Sequence, residues 1–153
     1  MAIIDAQNLF SDAQAVTATA ISTNVIDTSP LGANTGRDLG AGNPLYLVIV
    51  VGTAATAAGA ATVTFSLESD STADLATSAT VHFTTAAIPK ATLTAGAVVA
   101  AIALPVGPTA NYEKFLGVRY TVATGPLTAG TFTAMLLHST DTFRAYQDAI
   151  TIS

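Results

Sequence analysis

The residues that could carry out chemistry are few, and the two histidines are the first to consider. His82 and His138 could each act as a general base, but each lies in a stretch whose pattern indicates a β-strand. The sequence contains no G-x-S-x-G, the motif that presents a serine nucleophile on a strand-to-helix turn. It also lacks the H-E-x-x-H spacing of a metal site. We therefore expect surface or interface histidines and no enzymatic activity.

An acidic stretch is the second candidate. ESDSTAD (68–74) carries carboxylates at Glu68, Asp70 and Asp74, and oxygen ligands at short spacing can bind Ca²⁺. The EF-hand pattern fails because no glycine stands at its turn position and no glutamate closes the loop. A solvated connection between two strands is the simpler interpretation. The sequence thus predicts no metal and no cofactor.

Two further stretches are candidates for contacts with other proteins. GRDLGAG (36–42) fits neither the G-x-G-x-x-G nor the Walker A spacing, so a turn is expected, with Arg37 and Asp38 as a solvated pair unless an interface recruits them. YEKF (112–115) opens a strand, either as charges that blunt edge pairing or as an interface anchor. The candidate interface residues are Arg37, Asp38, Tyr112, Glu113, Lys114 and Phe115. The 29–44 loop and the N-terminal segment are further contact candidates.

Composition narrows the class of protein. The 153 residues suit one domain, and the absence of cysteine excludes disulfides and thiolate chemistry. Only 10% of residues are charged, against about 25% in a typical soluble domain. The net charge of −5 and the five scattered basic residues argue against direct nucleic-acid binding. A surface of Thr, Ser, Ala and Gly suits a protein that packs against others.

The longest uncharged stretch raises the question of a membrane span. LYLVIVVGTAATAAGAATVTF (45–65) changes character at Gly52, from β-branched residues to small ones, and then alternates strictly. Alternation is typical of a half-buried strand, and no basic flank is present. We predict two strands joined by a small-residue loop, and no membrane association. The first residues lack the basic region of a secretory signal, so we expect synthesis and use without export by the general secretory route.

The same pattern recurs along the chain and predicts the fold. Alternation places Val63, Phe65 and Leu67 on one face, and likewise Val81 and Phe83, with His82 opposite. We predict an all-β, antiparallel two-sheet sandwich, a jelly roll of about eight strands, as a single domain over 1–153. Residues 1–14 are expected to form an N-terminal arm or a short helical turn. The predicted strands are 15–26, 45–51, 61–68, 78–85, 97–104, 114–122, 131–138 and 148–153.

Three stretches together are similar to a known family. MAIIDAQNLFSDAQAVTATAISTNVID (1–27), RDLGAGNPLYLVIVV (37–51) and YEKFLGVRYTVATGPLTAGTFTAMLLHSTDTFRAYQDAITIS (112–153) resemble the Bbp16-type capsid cement proteins of tailed bacteriophages. Residues 52–111 match only as a pattern of alternating strands. None of the stretches is a catalytic motif, so no functional residue is carried over from the family.

The resemblance implies a virion protein without enzymatic activity or cofactor. It implies a jelly roll on the outer surface of the capsid that clamps major capsid proteins of the HK97-type fold. Such a protein is made in the cytoplasm of the host bacterium. We expect a symmetric homo-oligomer, a dimer or a trimer, because symmetry multiplies the grip on a shell. The negative net charge suits an outer surface better than a DNA-lined interior.

A different class of protein is the alternative. A jelly roll could also serve as a receptor- or carbohydrate-binding module of a phage fibre or adhesin. Such sites usually present exposed aromatic residues beside polar loops, whereas this chain has no Trp and 7% aromatic residues. The composition therefore favours the capsid role.

Overall fold

The described part of the chain folds into ten β-strands in two sheets. The structure is a computed structural model, and it describes residues 6–29, 39, 42–106 and 111–139. Two single-turn 3₁₀ helices accompany the strands, η1 (Ala6–Asn8) and η2 (Lys90–Thr92). The strands are β1 (Leu9–Ala15), β2 (Ala20–Ile21), β3 (Ile26–Asp27), β4 (Tyr46–Val51), β5 (Thr62–Asp70), β6 (Thr80–Thr84), β7 (Ile88–Pro89), β8 (Val98–Ala103), β9 (Phe115–Ala123) and β10 (Thr131–Leu137).

All strand pairs are antiparallel, and their order is that of a jelly roll. Sheet A has the order β1-β10-β4-β8, and sheet B has the order β2-β9-β5-β6, with β3 on β9 and β7 on β5. Counting β2 with β3 and β6 with β7 as interrupted strands leaves eight. Successive strands then alternate between the sheets, except that β6 and β7 follow β5 within sheet B. The predicted all-β sandwich of about eight strands is confirmed.

The predicted alternation sets the inner faces of the long strands. Val63, Phe65 and Leu67 of β5 are fully buried, as predicted. In β9, Leu116 and Val118 are buried in the same way, and the strand pairs with β5 along its whole length. Because side chains of a strand alternate between its faces, this pattern also determines which residues face outward.

Three aromatic rings join the two sheets at the centre of the core. Phe65 of β5 and Tyr120 of β9 lie in sheet B, and Phe132 of β10 lies in sheet A; all three are fully buried. Ring centroids are 5.7 Å apart for Phe65–Tyr120, 5.1 Å for Phe65–Phe132 and 5.6 Å for Tyr120–Phe132. Two of the contacts are edge-to-face, an arrangement that the ring quadrupoles favour.

A buried hydrogen bond connects this cluster to the edge of sheet A. The hydroxyl groups of Tyr120 and Ser11 bond to each other, and both residues are fully buried. Burial raises the pKa of Tyr120 to about 12, so its hydroxyl keeps its proton at physiological pH. Each hydroxyl therefore supplies the partner that the other needs away from water.

The N-terminal third departs from the sequence prediction. The helical turn exists at 6–8, but residues 9–15 form strand β1 rather than an arm, with Phe10 fully buried in the core. Two register shifts against β10 and a positive φ of 44° at Ala13 break the alternation that would have revealed this strand.

The predicted strand at 15–26 is only two short pieces, β2 and β3. A side chain, rather than a neighbouring strand, bonds to the backbone here. The amide of Gln14 donates to the Ile21 carbonyl and accepts from the Thr23 N–H. Polar side chains near the backbone compete with strand pairing in this way. The predicted strand at 148–153 lies outside the described residues.

The uncharged stretch at 45–65 is two strands and a loop, as predicted. The loop packs on its own chain: Ala55 is buried, the Thr56 N–H donates to the Ala129 carbonyl at 2.8 Å, and the Thr128 N–H donates to the Thr56 carbonyl at 2.7 Å. No helix among the described residues is long and apolar enough to span a membrane.

The buried hydroxyl pair yields a stability prediction. Tyr120→Phe should lower the free energy of unfolding by about 1–3 kcal/mol, because the buried Ser11 hydroxyl loses its partner. Ser11→Ala should be similarly costly. The double variant, in which neither hydroxyl remains, should be less destabilised than the sum of the single changes. Denaturant unfolding of the four proteins measures this, and strict additivity would contradict the pairing.

Candidate functional site

The outer face of sheet B is polar and largely occupied by contacts within the chain. Outward positions of β5 carry Ser66, Glu68 and Asp70 between the buried apolar ones. Glu68 accepts a hydrogen bond from the Arg119 guanidinium at 2.8 Å, forming an ion pair across to β9. The charges of Glu68 and Arg119 on this face are therefore paired with each other.

The acidic stretch considered for calcium folds over this face. Burial disfavours the charged form of Asp70, yet hydrogen bonds from the backbone N–H groups of Thr72 and Ser78 outweigh it and lower its pKa. The carbonyl of Leu75 accepts from Arg119, and the Leu75 side chain is buried over Gly117, where a Cβ would come within 2.7 Å of it. The carboxylates thus hold the loop to the sheet, and the described residues include no cluster of three metal-ligating side chains.

His82 lies at the end of the sandwich in a buried polar contact. Its Nε2 is 2.7 Å from the Ser69 hydroxyl, which also accepts the Glu113 N–H at 3.0 Å. The His82 ring lies 4.2 Å from that of Tyr112, and the Tyr112 hydroxyl donates to the Pro105 carbonyl at 2.8 Å. These contacts join β6 to the segment that follows β8.

A bulge reverses the predicted faces of this strand. The register between β5 and β6 shifts by one residue between Leu67 and Glu68, so Phe83 pairs with Leu67 but Val81 pairs with Glu68. Val81 is consequently 53% exposed, and His82 is half-buried. The expectation of Val81 inside and His82 on the polar face is wrong, because a bulge exchanges the sides of a strand.

The histidine contact is unsuited to nucleophilic catalysis. A serine beside a histidine is the arrangement of an activated nucleophile. Ser69, however, is fully buried, and its oxygen already accepts a backbone N–H, so no substrate carbonyl can approach it. His138 is exposed at the end of β10.

The outer face of sheet A is apolar, which is unusual for the outward side of a sandwich. Val48, Met135 and Leu137 form a second buried cluster there, with Leu9 and Val50 packed against it. Strands β4, β8 and β10 carry no charged residue. Sandwich strands normally alternate buried apolar with outward polar residues, so this face departs from the rule.

The apolar character continues to an exposed edge, which we name the β8 margin (residues 98–106). Val98 is 49% exposed and Val106 is 57% exposed, and the outward alanines of β8 are exposed as well. Among the described strands, only β4 pairs with β8, so its other edge is unpaired there. No charge or proline interrupts β8 itself.

The other sheet edges carry features that discourage pairing with another chain. β1 has two register shifts and Asp12, β6 has the bulge, and β2 and β3 are two residues each. Natural proteins protect edges with such bulges, charges and short strands. β8 also has a register shift, between Val98 and Ala100, but its register over Ala100–Ala103 is regular and it carries no charge. The β8 margin is therefore the edge best suited to contact another protein.

The residues predicted as interface candidates mostly lie elsewhere. Tyr112 is buried within its own chain, and its role as an interface anchor stays a prediction. The alternative, that the charges of residues 112–115 blunt pairing at a sheet edge, is wrong, because these residues lead into β9, which lies between β5 and the β2/β3 pair. Glu113 accepts from the Thr80 hydroxyl, and the ammonium of Lys114 lies 5.1 Å from the ring centroid of half-buried Phe115. Arg37 and Asp38 lie outside the described residues.

Sequence reasoning did not single out Val98 and Val106 as exposed apolar residues. The sequence did indicate an apolar strand here, since AVVAAIAL (97–104) is an uncharged run followed by a proline. Only the strand order shows that this run lies at an edge.

The fold defines a class: a β-sandwich of jelly-roll strand order with an exposed apolar edge. A protein-family model, Bbp16, matches residues 10–136, which is most of the chain, and the protein belongs to that family. Membership indicates a structural protein of a bacteriophage and a component of the virion. No curated protein matches the chain.

The environment of His82 predicts a dependence of stability on pH. Burial lowers the pKa of His82 below its ordinary value of 6.5, although the nearby Glu113 carboxylate acts in the opposite direction. The unfolded chain therefore binds the proton more readily, and stability should fall as pH drops below about 6.5. In addition, a protonated Nε2 could no longer accept the Ser69 hydroxyl proton.

Unfolding measured across this pH range tests the assignment. His82→Gln should flatten the dependence of the unfolding free energy on pH, whereas His138→Gln, at an exposed position, should leave it as in the unaltered protein. Equal slopes for the His82 variant and the unaltered protein would show that His82 does not titrate as described.

Proposed function

We propose that this protein is a capsid cement protein that binds the outer surface of an icosahedral phage head and clamps neighbouring major capsid subunits. The observation that carries the proposal is the β8 margin, an uncharged and exposed strand edge on a protein of a phage structural family. In this role the protein acts by binding alone, without catalysis, cofactor or contact with DNA.

The chemistry of the β8 margin suits a permanent contact. Valine and alanine side chains give up no hydrogen bonds to water when they are buried, and burial of apolar area stabilises a complex by roughly 25 cal/mol per Å². The unpaired backbone groups of an edge strand can hydrogen-bond to an extended segment of another chain. Because no charge lies in β8, no desolvation of an ionised group opposes the contact.

Clamping requires at least two contacts per molecule or per oligomer. Once one contact has formed, the second is effectively intramolecular, and the combined binding can exceed either alone by roughly 10²–10⁴-fold. We propose a symmetric homo-oligomer, dimer or trimer, on the shell, because symmetry repeats each contact. Within the β8 margin, Ala100 and Leu104 belong to the core, whereas the exposed side chains of Val98 and Val106 lie outside it.

The cement role predicts a difference between particles. Heads that lack the protein should lose their DNA at a lower temperature than complete heads, and they should already lose it at an ionic strength at which complete heads retain it, because internal pressure then acts on unclamped capsid contacts. Release of DNA from purified particles, followed by a DNA-binding dye during heating, measures this. Equal robustness of the two kinds of head would refute the proposal.

The role of the β8 margin predicts the effect of single substitutions. Val98→Lys should weaken binding to heads that lack the protein by about tenfold or more, since it places a charge on the contact edge. Val81→Lys is the matched control, because Val81 is exposed to a similar extent but lies on the outer face of sheet B. Both variants should fold, as judged by thermal unfolding. Binding that is equal for both variants in a sedimentation assay would remove the β8 margin from the contact.

A further inference from the structure

A groove lies at the side of the sandwich opposite the β8 margin. It has a volume of about 520 Å³ and is bordered by η1, the start of β1, the segment 24–29 around β3, and Leu39. β1 and β8 are the two opposite edges of sheet A, so the groove and the β8 margin face away from each other. Its volume is within the range of about 300–1,000 Å³ that is typical of ligand pockets.

A carboxylate with a fixed orientation lines the groove. Oδ1 of Asp27 accepts hydrogen bonds from the Ser29 hydroxyl at 2.6 Å and the Ser29 N–H at 2.9 Å. These two bonds are the main reason that the pKa of Asp27 lies below its ordinary value, so the group is negatively charged at neutral pH. Oδ2 takes part in no hydrogen bond within the described chain. A charged acceptor is thus held in place and remains available.

A neutral acceptor lines the same groove. The side-chain nitrogen of Asn24 donates to the Leu9 carbonyl at 3.1 Å, which fixes the amide and leaves its oxygen as an acceptor without a described partner. Lys114 is a cation near enough to contribute to the low pKa of Asp27, but it does not line the groove and its ammonium lies over the Phe115 ring. Among its described lining residues, the groove therefore holds one carboxylate, the amide oxygen of Asn24 and no cation.

We propose that the groove between η1 and β3 binds an arginine side chain of a neighbouring virion protein through the carboxylate of Asp27 and the amide oxygen of Asn24. A guanidinium carries five donors in one plane and can serve two acceptors at once, which an ammonium on a flexible stem does less well. The net charge of −5 favours a basic partner at long range. The assignment rests on the proposed function, for which the groove supplies the second contact of the clamp.

The unaltered full chain and two capped peptides test this. Backbone amide chemical shifts are followed by NMR during titration with Gly-Arg-Gly and, separately, with Gly-citrulline-Gly, in which a neutral urea replaces the guanidinium. The arginine peptide should shift the amide signals of Asn24, Asp27 and Ser29 in a saturable way, and the citrulline peptide should bind at least about tenfold more weakly, a difference of about 1.4 kcal/mol. Equal shifts with both peptides, or no saturable shift, would overturn the proposal.

A pair of variants locates the site. The Asp27→Asn variant should bind the arginine peptide at least about tenfold more weakly than the unaltered protein. The Asp12→Asn variant should bind it as the unaltered protein does, because Asp12 is an exposed carboxylate on β1 outside the groove. Binding unaffected by the Asp27 change would refute the assignment. The citrulline comparison needs no variant, so it holds even if Asp27→Asn proves unstable.

The result is separable from the test of the cement role. A protein that binds heads but shows no preference for arginine over citrulline refutes the groove assignment alone. A protein that fails to bind heads refutes the cement role, whatever its response to the peptides.

Discussion

The packing of Phe65, Tyr120 and Phe132 between the two sheets is the constraint on which the remaining structure depends. These rings come from three strands of both sheets and are fully buried. A shift of any of these strands by one residue would turn its ring to the outside, at a cost of several kcal/mol for a large buried aromatic residue, about 3–5 kcal/mol. Once the inward positions are set, the alternation of each strand determines every outward position as well.

The two outer faces that result are chemically different. In sheet B the outward positions of β5 and β9 carry charges, and the 71–79 loop lies over them through Leu75, Asp70 and the Glu68–Arg119 pair. In sheet A the outward positions of β4 and β10 include the apolar residues Val48, Met135 and Leu137, and they lead to the β8 margin. β8 contributes Ala100 to the core, but its exposed outward side chains lie outside the core. The surface available to a partner is thus separate from the interactions that stabilise the fold, and substitutions there can alter binding without unfolding the protein.

Strict alternation made much of this fold predictable, and its interruptions account for what was missed. β5 and β9 follow the pattern over nine residues each, so their inner faces were correctly predicted. β1 and β6 contain register shifts, and a single added residue hides a strand or exchanges its faces, as with Val81 and His82. The candidate site was harder to predict, because exposure at an edge depends on which strands are neighbours. The hydrophobic pattern of AVVAAIAL does not distinguish a central strand from an edge strand.

In the proposed cement role, the β8 margin and the groove lined by Asp27 would let a small domain with few charges hold a shell together. One surface is apolar and the other combines apolar and polar side chains with a single carboxylate among its described lining residues, and they lie at opposite edges of one sandwich. Two different chemistries select two different partner surfaces, so the molecule would bind in one orientation only. Neither contact has to be strong, since the rigid spacing makes the second effectively intramolecular. A sandwich is well suited to this, because its core transmits load between its two edges with little deformation.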